Sequence, residues 1–192
     1  MNKKRVFIIH GWWDDSNSGW IPWLKKELEP RGFEVITPDM PNTERPEISA
    51  WVDCLTNAVG ETDGNTYFVG HSIACQTIMR YLENLPDSGK VGGCVFVAPW
   101  FNLIEENLDD EEKTIARPWL DTLIDTGKVK NHCDNFAAIF SDNDDFVPLS
   151  DKELFERKLD ARTSVEHGKG HFTVDDGITE MPGVLDAILN LK

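Results

Sequence analysis

A chain of 192 residues is long enough to bury most of its apolar surface in one core and leaves little length for a second domain, so one domain spanning 1–192 is expected. Asp and Glu number 34 against 19 Lys and Arg, a formal charge of −15 with a pI near 4.6. Phosphate backbones and anionic membrane surfaces are repelled by such a chain, and neither nucleic acid nor a membrane is an expected partner.

The basic start Lys3-Lys4-Arg5 leads into only four apolar residues before His10, too few for a secretory h-region. No later segment has the uninterrupted apolar length of a membrane span. Cys54, Cys75, Cys94 and Cys133 are widely spaced with no C-x-x-C pair, and they read as reduced thiols of a cytoplasmic protein.

Residues 6–9 form a continuous apolar run, the mark of a strand covered on both faces, and the run ends at His10-Gly11-Trp12-Trp13. A polar turn follows, and the pattern from 20 to 28 predicts a helix with Ser18 as its cap and Pro22 tolerated in the first turn. Residues 33–37 read as a second strand, 46–59 as a helix, 66–69 as a third strand and 73–85 as the helix behind it. Gly92-Gly93 opens a fourth strand at 94–98. The acidic stretch 105–113 lacks an apolar face and is expected to be a mobile surface excursion, followed by a short helix to about 125. A fifth strand at 136–140, a helix at 150–159, a sixth strand at 163–166 and a last helix at 178–191 complete the chain. Strands that alternate with helices at these spacings make a parallel sheet with helices on both faces. Ligands of such sheets bind beyond the carboxyl ends of the strands, so the loops holding Trp12, Ser72, Trp100, Asp144 and His171 should converge.

The stretch Tyr67-Phe68-Val69-Gly70-His71-Ser72-Ile73-Ala74 joins an apolar strand to a helix through a sharp turn. A serine at such an elbow has its hydroxyl exposed, and small residues two before and two after it let strand and helix pass closely. Gly70 and Ala74 meet that requirement. A serine hydroxyl is a weak nucleophile and needs a base within hydrogen-bond reach, itself oriented by a carboxylate. Among the five histidines, His10 and His71 flank the proposed oxyanion loop and nucleophile, His132 precedes a strand and His167 ends one; His171, in a turn before the last helix, is the best placed base. Asp142, Asp144 and Asp145 compete for the acid.

Metal readings fare poorly. Asp142-x-Asp144 opens like a calcium loop, but Phe146 and Val147 stand where the next ligand and glycine belong. His167 and His171 have the spacing of zinc ligands on a helix, yet Gly168 and Gly170 argue against that helix, and H-E-x-x-H is missing. No metal or other cofactor is expected. The oxyanion hole requires two backbone amides, assigned to Ile73 after the nucleophile and to Trp12 in the loop after the first strand. Trp13, Trp100, Phe101 and Trp119 are candidates for pocket walls.

With these residues placed, the chain resembles the small α/β-hydrolases grouped with the retinoblastoma-binding serine hydrolase and its bacterial relatives, nearly end to end. The marks are His10-Gly11, Gly19-Trp20, Trp23-Leu24-Lys25-Lys26-Glu27-Leu28, Gly70-His71-Ser72, Arg117-Pro118-Trp119, residues 141–148 and Gly170-His171-Phe172. The resemblance implies a three-layer sandwich of about six parallel strands in the order 2-1-3-4-5-6 without a cap domain. It also implies that Asp144, followed by Asp145-Phe146-Val147-Pro148, holds the acid position. The L-x-C-x-E segment that gives the family its name is missing, because Val52 and Thr56 flank Cys54 at the matching positions; binding of pocket proteins is not expected.

The expected activity is hydrolysis of small carboxylic esters through an acyl-serine, with Ser72 as nucleophile, His171 as base and Asp144 orienting it. Two alternatives stand beside it: an amidase or aminopeptidase-like hydrolase using the same triad, and a non-catalytic protein-binding module on the hydrolase fold.

Overall fold

The computed structural model describes residues 3–191. Its six strands are β1 (Arg5–Ile9), β2 (Glu34–Ile36), β3 (Thr66–His71), β4 (Gly93–Val97), β5 (Phe136–Ser141) and β6 (Arg162–Glu166). They form one parallel sheet in the order β2-β1-β3-β4-β5-β6, the order and all-parallel sense expected. Every residue of β3, β4 and β5 is buried, as continuous apolar runs in a doubly covered sheet require. The edge strand β6, Arg-Thr-Ser-Val-Glu, is polar and nowhere fully buried.

Two helices, α1 (Ile21–Leu28) and α7 (Pro182–Leu189), touch each other on one face of the sheet. On the other, α2 (Ile48–Val59), α3 (Ile73–Glu83), α5 (Thr126–His132) and α6 (Asp151–Leu159) contact one another in series. The buried positions follow the helical period: Ile21, Leu24 and Leu28 in α1, and Trp51, Leu55 and Val59 in α2. The central helix α3 is buried from Ile73 through Leu82, because it lies between α2 and α5. No described helix is long and apolar enough to cross a membrane.

The registers bring the carboxyl ends of the strands level: Ile9 lies opposite Gly70, His71 opposite Val97, Val97 opposite Ile139 and Ser141 opposite Glu166. The loops leaving those ends therefore gather on one rim.

Four local expectations are corrected. Ser18 does not cap α1; its hydroxyl accepts from the amide of Asp15 at 3.1 Å, and Trp20 takes the N-cap position without a side-chain bond. The acidic stretch 105–113 is not an irregular excursion. It holds a 3₁₀ turn (Glu105–Asn107) and the start of helix α4 (Asp110–Asp121). A capping box starts α4: the Asp109 carboxylate accepts from the amide of Glu112 and the Glu112 carboxylate from the amide of Asp109, both at 2.8 Å. The remaining acids of its first turn face the positive end of the helix dipole, so charge that reads as loop composition favours a helix start. Helix α5, absent from the sequence reading, begins where the Asp125 carboxylate accepts from the amide of Lys128. The last helix is shorter than expected, since Pro182 occupies its first turn and residues 178–181 remain outside it.

Candidate active site

Ser72 sits between β3 and α3 with φ 54° and ψ −120°, backbone torsions that residues with a Cβ rarely adopt. Close passage of strand and helix enforces the turn. A Cβ on Gly70 would come within 2.7 Å of Ile78 Cδ1 and 3.1 Å of the Ala74 and Cys75 backbone. The amide of Ser72 donates to the carbonyl of Val97 at 2.8 Å, tying the elbow to β4.

His171 arrives from the loop after β6. Gly170 takes φ 53°, and a Cβ there would collide with the Asp176 carboxylate. That carboxylate accepts from the amides of His171 (2.9 Å) and Thr173 (3.0 Å) and from the Thr173 hydroxyl (2.8 Å), while Asn143 Oδ1 accepts from the amide of Gly170 (2.9 Å). The imidazole is thus held by a loop whose backbone is bonded on both sides.

Asp144 leaves the end of β5, its side chain only 2% exposed. Its Oδ1 accepts from the amides of Phe146 (2.9 Å) and Val147 (3.0 Å), and the carboxylate reaches His171 Nδ1 at 2.8 and 3.0 Å. A carboxylate only accepts, so Nδ1 carries the proton; Nε2 then presents its lone pair to Ser72 Oγ, 2.9 Å away. Asp142 turns instead to His167 Nδ1 (2.6 Å) and the amide of Gly168. The His167 hydrogen bond holds the Asp142 carboxyl below the usual carboxylate range. Asp145 is exposed and meets His171 in no hydrogen bond.

A cavity of about 320 Å³ opens over Ser72 and His171. Trp12, Trp13 and Trp100 line it, and Trp13 is 62% exposed at its mouth. Leu103 and Leu108 from the β4–α4 connection and Glu112 from the first turn of α4 add a wall. The amide of Ile73 is the first of α3 and has no intrahelical acceptor. The amide of Trp13 is taken by the carbonyl of Thr43 at 3.0 Å, whereas that of Trp12 makes no hydrogen bond among the described residues.

Phe101 and Trp119 are not brought to the cavity. Phe101 packs on Phe155 with ring centroids 4.6 Å apart, and its amide donates to Asp151. Trp119 is buried edge-on to Trp51, its indole N–H donating to the carbonyl of Pro46 at 3.0 Å. Trp119 belongs to the core and Phe101 packs half-buried against it, places that composition alone does not separate from a pocket wall.

The sequence reading also missed cavity residues, among them Asp14, Phe146, Thr173 and Asp175. Phe146 sits inside the Asp144 to Pro148 pattern and was legible there. The others stand on loops whose course has no sequence signature. His10 serves structure: its Nδ1–H donates to the carbonyl of Gly11 and its Nε2 accepts from the amide of Met40.

Residues 6–190 match the serine hydrolase family profile. The chain belongs to the serine hydrolase family. Among relatives of this chain, YdeN of Bacillus subtilis is 33% identical over 186 residues, covering 96% of this chain and 94% of that one. The serine hydrolase RBBP9 of Rattus norvegicus is 25% identical over 164 residues, 85% of this chain and 83% of its own. The solved structure of the YdeN gene product superposes with a TM-score of 0.90 at 30% identity, covering 98% of each chain. A structure from a study of carboxylesterases of Nitrososphaera gargenis shares the fold at a TM-score of 0.68 and 16% identity, over 97% of this chain and 90% of that chain.

Proposed function

We propose that this serine hydrolase cleaves small carboxylic esters through an acyl-serine intermediate. One observation carries the reading: the unbroken chain from Asp144 through His171 to Ser72, with Nε2 2.9 Å from Oγ and the carboxylate 2.8 Å from Nδ1. Ser72 Oγ attacks the ester carbonyl as His171 Nε2 takes its proton, and Asp144 stabilises the imidazolium formed. The carbonyl oxygen becomes an alkoxide facing the amides of Trp12 and Ile73, two donors without a hydrogen-bond partner among the described residues, at the positive end of α3. The tetrahedral intermediate collapses as His171 hands its proton to the departing alcohol oxygen. Water then repeats the sequence on the acyl-enzyme, releasing the acid and restoring Ser72. No metal or cofactor enters these steps.

The modest volume of the cavity favours small or flexible acyl groups. An ester is preferred to an amide because its alcohol leaves more readily, and the likeness to a structure from a carboxylesterase study agrees with that preference.

The test is covalent labelling by a fluorophosphonate, together with hydrolysis of short p-nitrophenyl esters and the matched anilides. Wild type should label and prefer the esters, while folded Ser72→Ala and His171→Ala should do neither, losing about a thousandfold or more in kcat. Folded wild type that fails to label would overturn the reading.

A further inference from the structure

The triad leaves one buried histidine beside the nucleophile unexplained. His71, immediately before Ser72, has a side chain only 5% exposed. Both of its ring nitrogens face acceptors. Nε2–H donates to the backbone carbonyl of His171 at 2.8 Å, and Nδ1 lies 3.6 Å from Asp14 Oδ2. Trp20 meets the ring edge-on with centroids 6.0 Å apart, and the His171 ring lies against it at 5.2 Å.

The space for this arrangement is provided by a glycine. A Cβ on Gly11 would sit 2.8 Å from His71 Nδ1, so the loop after β1 passes close to the imidazole only because position 11 has no side chain. The same loop carries Asp14 to the cavity.

A buried histidine more often satisfies a core than serves a site. Here the hydrogen bond ends on the main chain of the residue that acts as base, and the ring it comes from is joined covalently to the nucleophile. His71 therefore fixes the distance between the two residues whose contact the reaction needs, from outside the Ser72–His171 bond itself.

We propose that His71 and Asp14 form a second imidazole–carboxylate pair, in which His71 is a positioning residue that holds His171 over Ser72 and Asp14 fixes the His71 ring. The proposal rests on the hydrolase reading for its kinetic consequence and on geometry alone for its structural one. Neither residue exchanges a proton with substrate. Their effect falls on the approach of Nε2 to Oγ, where a displacement of about 1 Å costs on the order of a hundredfold in rate.

The experiment compares wild type with His71→Ala, His71→Gln and Asp14→Asn by steady-state ester kinetics and by the proton NMR signal of the His171 Nδ1–H bonded to Asp144. Glutamine keeps a donor that can reach the His171 carbonyl, so it is the rescue variant. The expected result is a fall in kcat of about tenfold to a hundredfold for His71→Ala, with KM within about twofold and a shifted or broadened Nδ1–H signal. His71→Gln should recover most of both, and Asp14→Asn should fall between them.

A folded His71→Ala protein with kcat within about twofold of wild type and an unmoved proton signal would overturn the proposal. So would a glutamine variant no better than alanine, since the loss would then belong to packing. If His71→Ala does not fold, Asp14→Asn decides: wild-type kcat and an unmoved signal overturn the proposal, and a lowered kcat with a moved signal supports it. Wild type that hydrolyses no ester would remove the hydrolase reading, and the proton signal across the same variants would still decide the positioning role.

Discussion

The Asp176 carboxylate accepts the backbone amide of His171 at 2.9 Å, so an acid five residues after the candidate base sets the path of the loop that delivers it. The same carboxylate binds the amide and hydroxyl of Thr173. Asp176→Ala releases three donors at once. The expected outcome is a fall in kcat of about tenfold or more with a stability loss of about 1–3 kcal/mol, read by ester kinetics and urea unfolding. Asp176→Asn retains an acceptor oxygen and should lose less of both.

The elbow makes a second prediction. Gly70→Ala places a methyl 2.7 Å from Ile78 Cδ1 and 3.1 Å from the Ala74 carbonyl carbon. The side-chain end can move, but the backbone of α3 cannot without shifting Ser72. Overpacking of this kind costs about 1–3 kcal/mol, and the fluorophosphonate labelling rate should drop with it. Replacing Ile78 by valine in the same chain relieves only the first contact and should restore stability in part. Full recovery would show that the α3 backbone contact costs nothing.

Two buried tryptophans, Trp119 and Trp100, separate packing from substrate contact. Trp119→Phe removes the indole donor to the carbonyl of Pro46 and should lower unfolding stability by about 1–3 kcal/mol with KM unchanged. Trp100→Ala opens a cavity wall and should change KM for the ester. Steady-state kinetics beside thermal melts distinguish them, and a KM change in Trp119→Phe would contradict its placement in the core.

Asp14 predicts a pH dependence of stability. Burial tends to raise its carboxyl, but the facing His71 imidazole and Ser18 more than offset this and hold it below its ordinary value of 3.8. A folded-state value below the unfolded one contributes stability that is present in full above the unfolded value and is lost as pH falls through the folded one. The difference in unfolding free energy between wild type and Asp14→Asn should therefore be constant near neutral pH and shrink below about pH 4. Chemical denaturation at pH 7 and at pH 3 measures it; a difference that grows on acidification would reverse the assignment.

Local chemistry determined a good part of this protein directly from the sequence. Continuous apolar runs at 6–9, 67–69 and 136–140 become strands buried on both faces, because a residue between two helical layers has no polar side to show. The small residues Gly70 and Ala74 around Ser72 announce a turn in which strand and helix nearly touch. Serine, acid and histidine each follow the end of a strand in a parallel sheet, so their convergence follows from topology.

Tertiary structure decided what depends on which loop meets which. The first half of helix α4 escaped a reading based on apolar periodicity, because its start is stabilised by the Asp109–Glu112 box and by charges that look like loop composition. Nothing in the sequence separates Trp100, which lines the cavity, from Trp119, which packs on Trp51, since both are large, buried aromatics and only the fold decides what each one meets. The His71 contact belongs to the same class. A hydrogen bond spanning 100 residues of chain exists only once the sheet has brought the ends of β3 and β6 to one rim.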